Sequence, residues 1–237
     1  MSQFYIDEFA LNVSRGLVKG SSSVHKFGAV PALSTNTTGT IWDKNDTIYP
    51  WSAFDTANTV VLTANAADNG KVVTIVGLDA DYAPLTETVT ITSGTGTSTG
   101  TFKRVFRAYS SASNANNITI SCNSTEVARI TAGMAQTLMA VYTIPAGKTG
   151  YLYKGTCSAQ AGADGTGNMY VRYFGETSFR VGHSFEVSGT GGQYMYDFSF
   201  PTPIPEKSDI DVRLTTRSNN GRYTAAFDLL LIDTPNR

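Results

Sequence analysis

From about Phe54 onward the chain is a succession of short segments rich in Val, Ile, Thr and aromatic residues. Each is closed off by Gly, Asn, Asp, Ser or Pro, and no helical period runs between them. This feature constrains the fold most, because strands at such spacing pair antiparallel and need no crossover helices. The first half predicts strands at Thr59–Ala64, Lys71–Val76, Thr86–Thr92, Thr101–Tyr109, Asn117–Cys122 and Glu126–Ile130. The turn stretches between them are "NAADNG", "DADYAP", "SGTGTSTG" and "SSASNANN". The second half predicts Gln136–Ile144, Gly150–Gln160, Asn168–Phe174, Phe179–Val187, Gln193–Phe198, Asp209–Thr216 and Tyr223–Asp233. Seven or eight such strands suffice for a jelly roll. The expected fold is all-β: two antiparallel β-sandwich, jelly-roll-like modules preceded by an extended N-terminal arm. The expected division is an arm over 1–53, a smaller sandwich over 54–132 and a larger jelly-roll-like sandwich over 133–237.

Residues 1–50 keep no period of 2 or 3.6. Single hydrophobic anchors, Leu17, Val24, Phe27, Val30, Ile41, Trp42, Tyr49 and Trp51, are separated by Gly, Ser and Thr. Such a segment makes no core of its own. It is therefore expected to dock as an assembly arm, on the following module or on a neighbouring subunit.

Charged residues make up 16% of the chain, below the ~25% usual for soluble domains, and the net charge is −1. No general attraction to nucleic acid or anionic lipid is expected. The N-terminal residues lack a basic region and an apolar stretch, so no secretory signal and no membrane span are expected, and folding is placed in a cytoplasm. Cys122 and Cys157 form no C-x-x-C pair and are expected to be reduced, buried thiols.

The search for chemistry yields little. "YTIPAGKTGYLYK" lacks the first glycine of a phosphate-binding loop, since that position is Tyr142, and reads as a hairpin turning at Pro145–Gly147. Only His25 and His183 could serve as a triad base, and neither lies near a nucleophile elbow. Asp79 and Asp81 do not fit a calcium loop and are expected to bond the turn backbone. Asp209, Asp211 and Arg213 share one face of a strand. They read as a charge ladder on its polar side, within the chain or between subunits. Tyr194, Tyr196 and Phe198 are candidate interface or glycan-contact aromatics. No catalytic residue, metal or cofactor is expected.

Three stretches carry a resemblance: S-x-V-x-K-F-G at Ser22–Gly28, I-V-G-L-D-x-x-Y at Ile75–Tyr82, and T-L-M-A-x-Y-T-I-P-A-G-K-T at Thr137–Thr149. Together with "IWD", "YPW", "KRVFRA" and "AAFDLLLID" they resemble a family of tailed-bacteriophage virion structural proteins, of marine and cyanobacterial phages among others. The resemblance spans nearly the whole chain and implies a part of a phage particle, located in the virion after assembly in the host cytoplasm. It supplies no catalytic residues. The expected role is non-enzymatic: capsid decoration or cement, or a head-fibre, collar or tail component. The expected partners are copies of itself, a trimer being favoured, and virion proteins such as the major capsid protein. Two other readings remain open: a receptor-binding tail-tip or fibre protein gripping host polysaccharide, and a depolymerase with two acids in one groove.

Overall fold

The computed structural model describes residues 9–234 apart from 190, 191 and 219. In chain order the strands are β1 (Ser21–Leu33), β2 (Thr38–Thr40), β3 (Val60–Thr63), β4 (Val72–Leu78), β5 (Pro84–Thr90), β6 (Thr95–Thr97), β7 (Arg104–Ser110) and β8 (Ile118–Cys122). They continue with β9 (Thr125–Ile130), β10 (Val141–Thr143), β11 (Lys148–Ala159), β12 (Asp164–Arg172), β13 (Arg180–Val187), β14 (Gln193–Ile204), β15 (Asp209–Ser218) and β16 (Gly221–Asp233). The described helices are short: α1 (Phe9–Ser14) and single 3-10 turns at Trp51–Phe54 and Ala66–Asp68. The chain is thus nearly all β, and every pairing among the named strands is antiparallel.

The strands form four sheets. One runs β1-β16-β11-β14, and a second runs β10-β15-β12-β13 with β2 also on β15. Their inner residues share one core, in which Val30, Leu33, Leu214, Tyr223, Phe227 and Leu231 are buried. The other two sheets, β6-β3-β8-β9 and β5-β4-β7, enclose a second core around Phe54, Leu62, Ile75, Phe102 and Ile118. Period-2 burial produces this layering. In β12, Gly165, Gly167, Met169 and Val171 point inward while their neighbours stay half-exposed.

The segment read as an extended arm is corrected by the structure. β1 pairs with β16 from Ser21↔Ile232 to Leu33↔Gly221 and is a full strand of the larger sheet. Its alternation is invisible in the sequence because its centre is covered on both faces. Lys26, Gly28, Ala29 and Val30 are all buried. A Cβ on Gly28 would lie 2.3 Å from the Ile41 carbonyl oxygen and 2.4 Å from the Ala140 nitrogen, so another stretch of backbone crosses β1 there. Further along, Trp42, Tyr49 and Trp51 join the second core rather than standing apart from it.

The hairpin expected over 142–154 is also corrected. β10 pairs with β15, whereas β11 pairs with β14 and β16, so the turn carries the chain from one sheet to another. Gly147 takes φ 73° in that turn, and the Ala146 N–H bonds the Tyr82 carbonyl, which fixes the change of direction. The β4–β5 hairpin does form. Asp79 Oδ1 accepts the N–H groups of Asp81 and Ala83, each at 2.9 Å, so one of the two acids caps the turn.

Candidate interaction surfaces and the buried charge cluster

β15 is a central strand, with β12 on one side and β10 and β2 on the other. Its polar residues therefore face neighbouring structure and not water. Asp209 is 2% exposed and Asp211 is fully buried, so the expected charge ladder is enclosed, and Asp209 pairs across strands with Arg172. Asp209 accepts Nε and Nη2 of Arg104 at 2.8 and 2.9 Å, Nη2 of Arg172 at 2.6 Å and the Thr143 hydroxyl at 2.6 Å. Asp211 accepts the Thr40 hydroxyl and the Trp51 indole N–H, both at 2.9 Å, and Nε of Arg213 at 2.9 Å. Burial pushes the Asp211 carboxyl above its ordinary range, against the opposing pull of Arg213, Trp51 and Thr40.

The guanidinium groups are themselves stacked on rings. Arg104 lies 5.5 Å from the Trp51 ring centroid and 5.4 Å from Tyr82, and Arg172 and Arg213 lie 4.8 and 4.6 Å from Phe179. Planar, weakly hydrated cations suit such a place better than ammonium groups do. The cluster joins β7, which faces the second core, to β15 and β12, which face the first. It fixes how the two halves meet, and both acids are spent on that contact.

Of the expected arm anchors, Leu17 alone lies well out in solvent, 62% exposed. Val30 and Ile41 are buried in the first core with Val24 packed against it, and Trp42, Tyr49 and Trp51 are buried in the second. Phe27 is half-buried under the Arg107 guanidinium at 5.7 Å. Tyr49 donates its hydroxyl to the Val105 carbonyl at 2.8 Å. Cys122 and Cys157 are free and buried in different cores, and burial pushes the Cys157 thiol up to about 12.

The predicted aromatics come together on β14, an edge strand paired with β11 alone. Tyr194, Tyr196 and Phe198 lie on the same face and gather round His183 of β13, with ring centroids 5.8, 4.8 and 5.3 Å away. Tyr194 and Tyr196 stack nearly parallel at 6.4 Å. The His183 ring hydrogen-bonds the Tyr194 hydroxyl at 2.7 Å, and burial lowers the His183 pKa. Other apolar side chains on these sheets are exposed as well: Phe200 is 91% exposed, Met195 56%, Val181 54% and Tyr153 51%. The other histidine, His25, pairs with Asp228 across the β1–β16 ladder. Neither imidazole bonds a serine or cysteine in the contacts described.

Several residues important to the structure escaped the sequence reading. Lys26 is buried, donates to the Phe106 carbonyl and stands near Arg107. Arg104 and Arg172 organise the charge cluster. The available signal was "KRVFRA", in which a strand destined for a core carries three cations. A buried partner for each was the inference to draw.

No family model and no curated protein matches the sequence. Among solved structures, the chain is 12% identical to a protein in naturally occurring empty particles of cowpea mosaic virus (top component). That match covers 77% of this chain and 85% of the other, at a TM-score of 0.23. A protein of infectious bursal disease virus, Gx strain, is 10% identical over 91% of this chain and 71% of the other, at a TM-score of 0.24. Likenesses this distant carry no argument about fold or function.

Proposed function

We propose that the chain is a non-enzymatic structural protein of a phage particle. It would serve as capsid decoration or cement, or as a head-fibre, collar or tail component. The observation that carries the reading is strand order. β1 and β10 to β16 stand as β1-β16-β11-β14 over β10-β15-β12-β13. We read this as the order of an eight-stranded jelly roll made of two Greek keys, an architecture used by viral capsid and lectin domains. On this reading β3 to β9 are a second sandwich inserted between the first and second jelly-roll strands. The resemblance at Ser22–Gly28, Ile75–Tyr82 and Thr137–Thr149 supports the same assignment, although fold alone does not fix function. Assembly would proceed through the exposed aromatics of the edge strand β14, because edge strands with uncovered aromatics favour a partner surface. Self-association into a trimer and binding to the major capsid protein are the contacts this role calls for.

Sedimentation velocity of the purified chain, with cryo-electron microscopy of the particle, tests the proposal. The expected result is a closed oligomer, and density for the chain on the particle. A monomer at all concentrations, absent from purified particles, would overturn it.

A second reading, recognition of host surface polysaccharide, is favoured by the Tyr194, Tyr196 and Phe198 cluster around His183. Aromatic faces beside polar groups suit sugar rings. Glycan-array binding abolished by Tyr196→Ala, with oligomer size unchanged, would select this reading over the first.

A further inference from the structure

A cleft of about 180 Å³ lies where the two halves of the molecule meet. Phe54, Asp55, Tyr82, Lys103 and Arg104 line one wall, and Arg172 to Glu176, Lys207 and Asp209 line the other. Four of these residues are cations, Lys103, Arg104, Arg172 and Lys207, and three are acids. The cations exceed the acids by one, and Asp55 also acts on Lys103. Asp209 alone serves both arginines, and Glu176 is drawn to Arg180, at 2.6 Å. Lys103 donates to the Asp55 carbonyl at 2.8 Å. Lys207 stands 5.0 Å from the centroid of the Phe174 ring and 5.9 Å from that of Tyr82. Neither lysine makes an ion pair with a carboxylate among the described residues. Burial and the neighbouring Arg104 lower the Lys103 pKa, against the opposing pull of Asp55 and Asp209.

The backbone supports the same site. Tyr82 and Lys207, one on each wall, hold φ of 64° and 61°. Bulky residues rarely adopt that region, and strain of this kind gathers at ligand sites. The exposed rings of Tyr173 and Phe174 stand at the cleft, 37% and 60% accessible. Cationic groups beside partly exposed aromatic rings, one face of Phe174 already met by Lys207, suit a ligand that joins a planar oxyanion to an apolar ring face. Clefts between halves of a molecule are the usual place for such ligands.

We propose that this cleft binds an acidic sugar, a hexuronate unit. Lys103, Lys207 and the outer edge of Arg172 would meet the carboxylate, and Phe174 the ring. The site is separate from the β14 aromatics and does not rest on the assembly role, which is read by particle incorporation and oligomer size.

The test is titration of the intact chain with D-glucuronate and D-galacturonate, followed by amide shifts in NMR. D-Glucose, acetate, inorganic phosphate and adenosine monophosphate serve as comparison ligands. Saturable hexuronate binding is expected, with shifts at Lys103, Phe174 and Lys207 and no saturable glucose binding. Affinity should fall about tenfold or more in Lys207→Asn, which keeps a residue tolerant of positive φ, and in Lys103→Met. Four results would overturn the proposal. They are no saturable hexuronate binding, equal binding of glucose or acetate, tighter binding of phosphate or the nucleotide, and shifts confined to Tyr194 and Tyr196. If one variant fails to fold, the other together with the wild-type shift map still decides.

Discussion

Arg104 of β7 grips Asp209 of β15 through two parallel hydrogen bonds, Nε to Oδ1 at 2.8 Å and Nη2 to Oδ2 at 2.9 Å. Arg172 takes the same carboxylate from the other side. One buried anion thus neutralises two guanidinium groups on different elements. Asp209→Asn would leave the buried Arg104 and the partly buried Arg172 without a counter-charge. The expected loss is about 3–5 kcal/mol, the usual cost of breaking a buried pair from one side. Urea unfolding measures it. A loss below about 1 kcal/mol would mean that water already reaches the cluster.

β1 as a full strand of the larger sheet predicts a result opposite to that for a loose arm. Gly28→Ala places a methyl against two backbone atoms, Ile41 O and Ala140 N, and backbone cannot move aside as a flexible side chain can. A loss of about 1–3 kcal/mol is expected, read as a lower urea midpoint at unchanged slope. In an undocked arm the same change would be silent.

Burial lowers the Lys26 amine from 10.5 to about 7, with Arg107 adding to the effect. A folded pKa below the unfolded one means the folded state releases the proton more readily. This group therefore costs nothing above the unfolded value of 10.5, destabilises increasingly as pH falls from there towards about 7, and its cost levels off below that. Lys26→Met should be more stabilising, relative to wild type, near pH 6 than near pH 10, by on the order of 4 kcal/mol. Urea titrations at the two pH values measure the difference, and a flat difference would contradict the burial.

Asp43 shows the reverse sign. Burial raises its carboxyl from 3.8 to about 7, although Leu138 N–H and the Thr131 hydroxyl donate to it. With the folded pKa above the unfolded one, the contribution is full below 3.8 and is lost as pH rises through about 7. Asp43→Asn stays neutral and can still accept the Leu138 N–H. Its stability relative to wild type should therefore rise between about pH 4 and pH 8, by on the order of 2 kcal/mol. Thermal melts across that window provide the measurement.

Strand content followed from the sequence because alternation of apolar and polar residues is a local property. β8, with Ile118, Ile120 and Cys122 inward, and β12, with Met169 and Val171 inward, were legible for that reason. So was the β4–β5 turn, where Asp79 bonds backbone only two and four residues on. The clustering of Tyr194, Tyr196 and Phe198 on one face of β14 followed from the same period.

What tertiary structure alone decided depends on contacts distant along the chain. β1 looked structureless because its partner, β16, lies some 200 positions away and its middle is covered on both faces, which erases the alternation. Period-2 spacing put Asp209 and Asp211 on a common face but could not show what covers it. That cover, Arg104 and Trp51, comes from elements more than 100 residues away. Local patterning sets which residues are strands, whereas the burial of charge and the pairing of edges are set by neighbours that only the folded chain brings together.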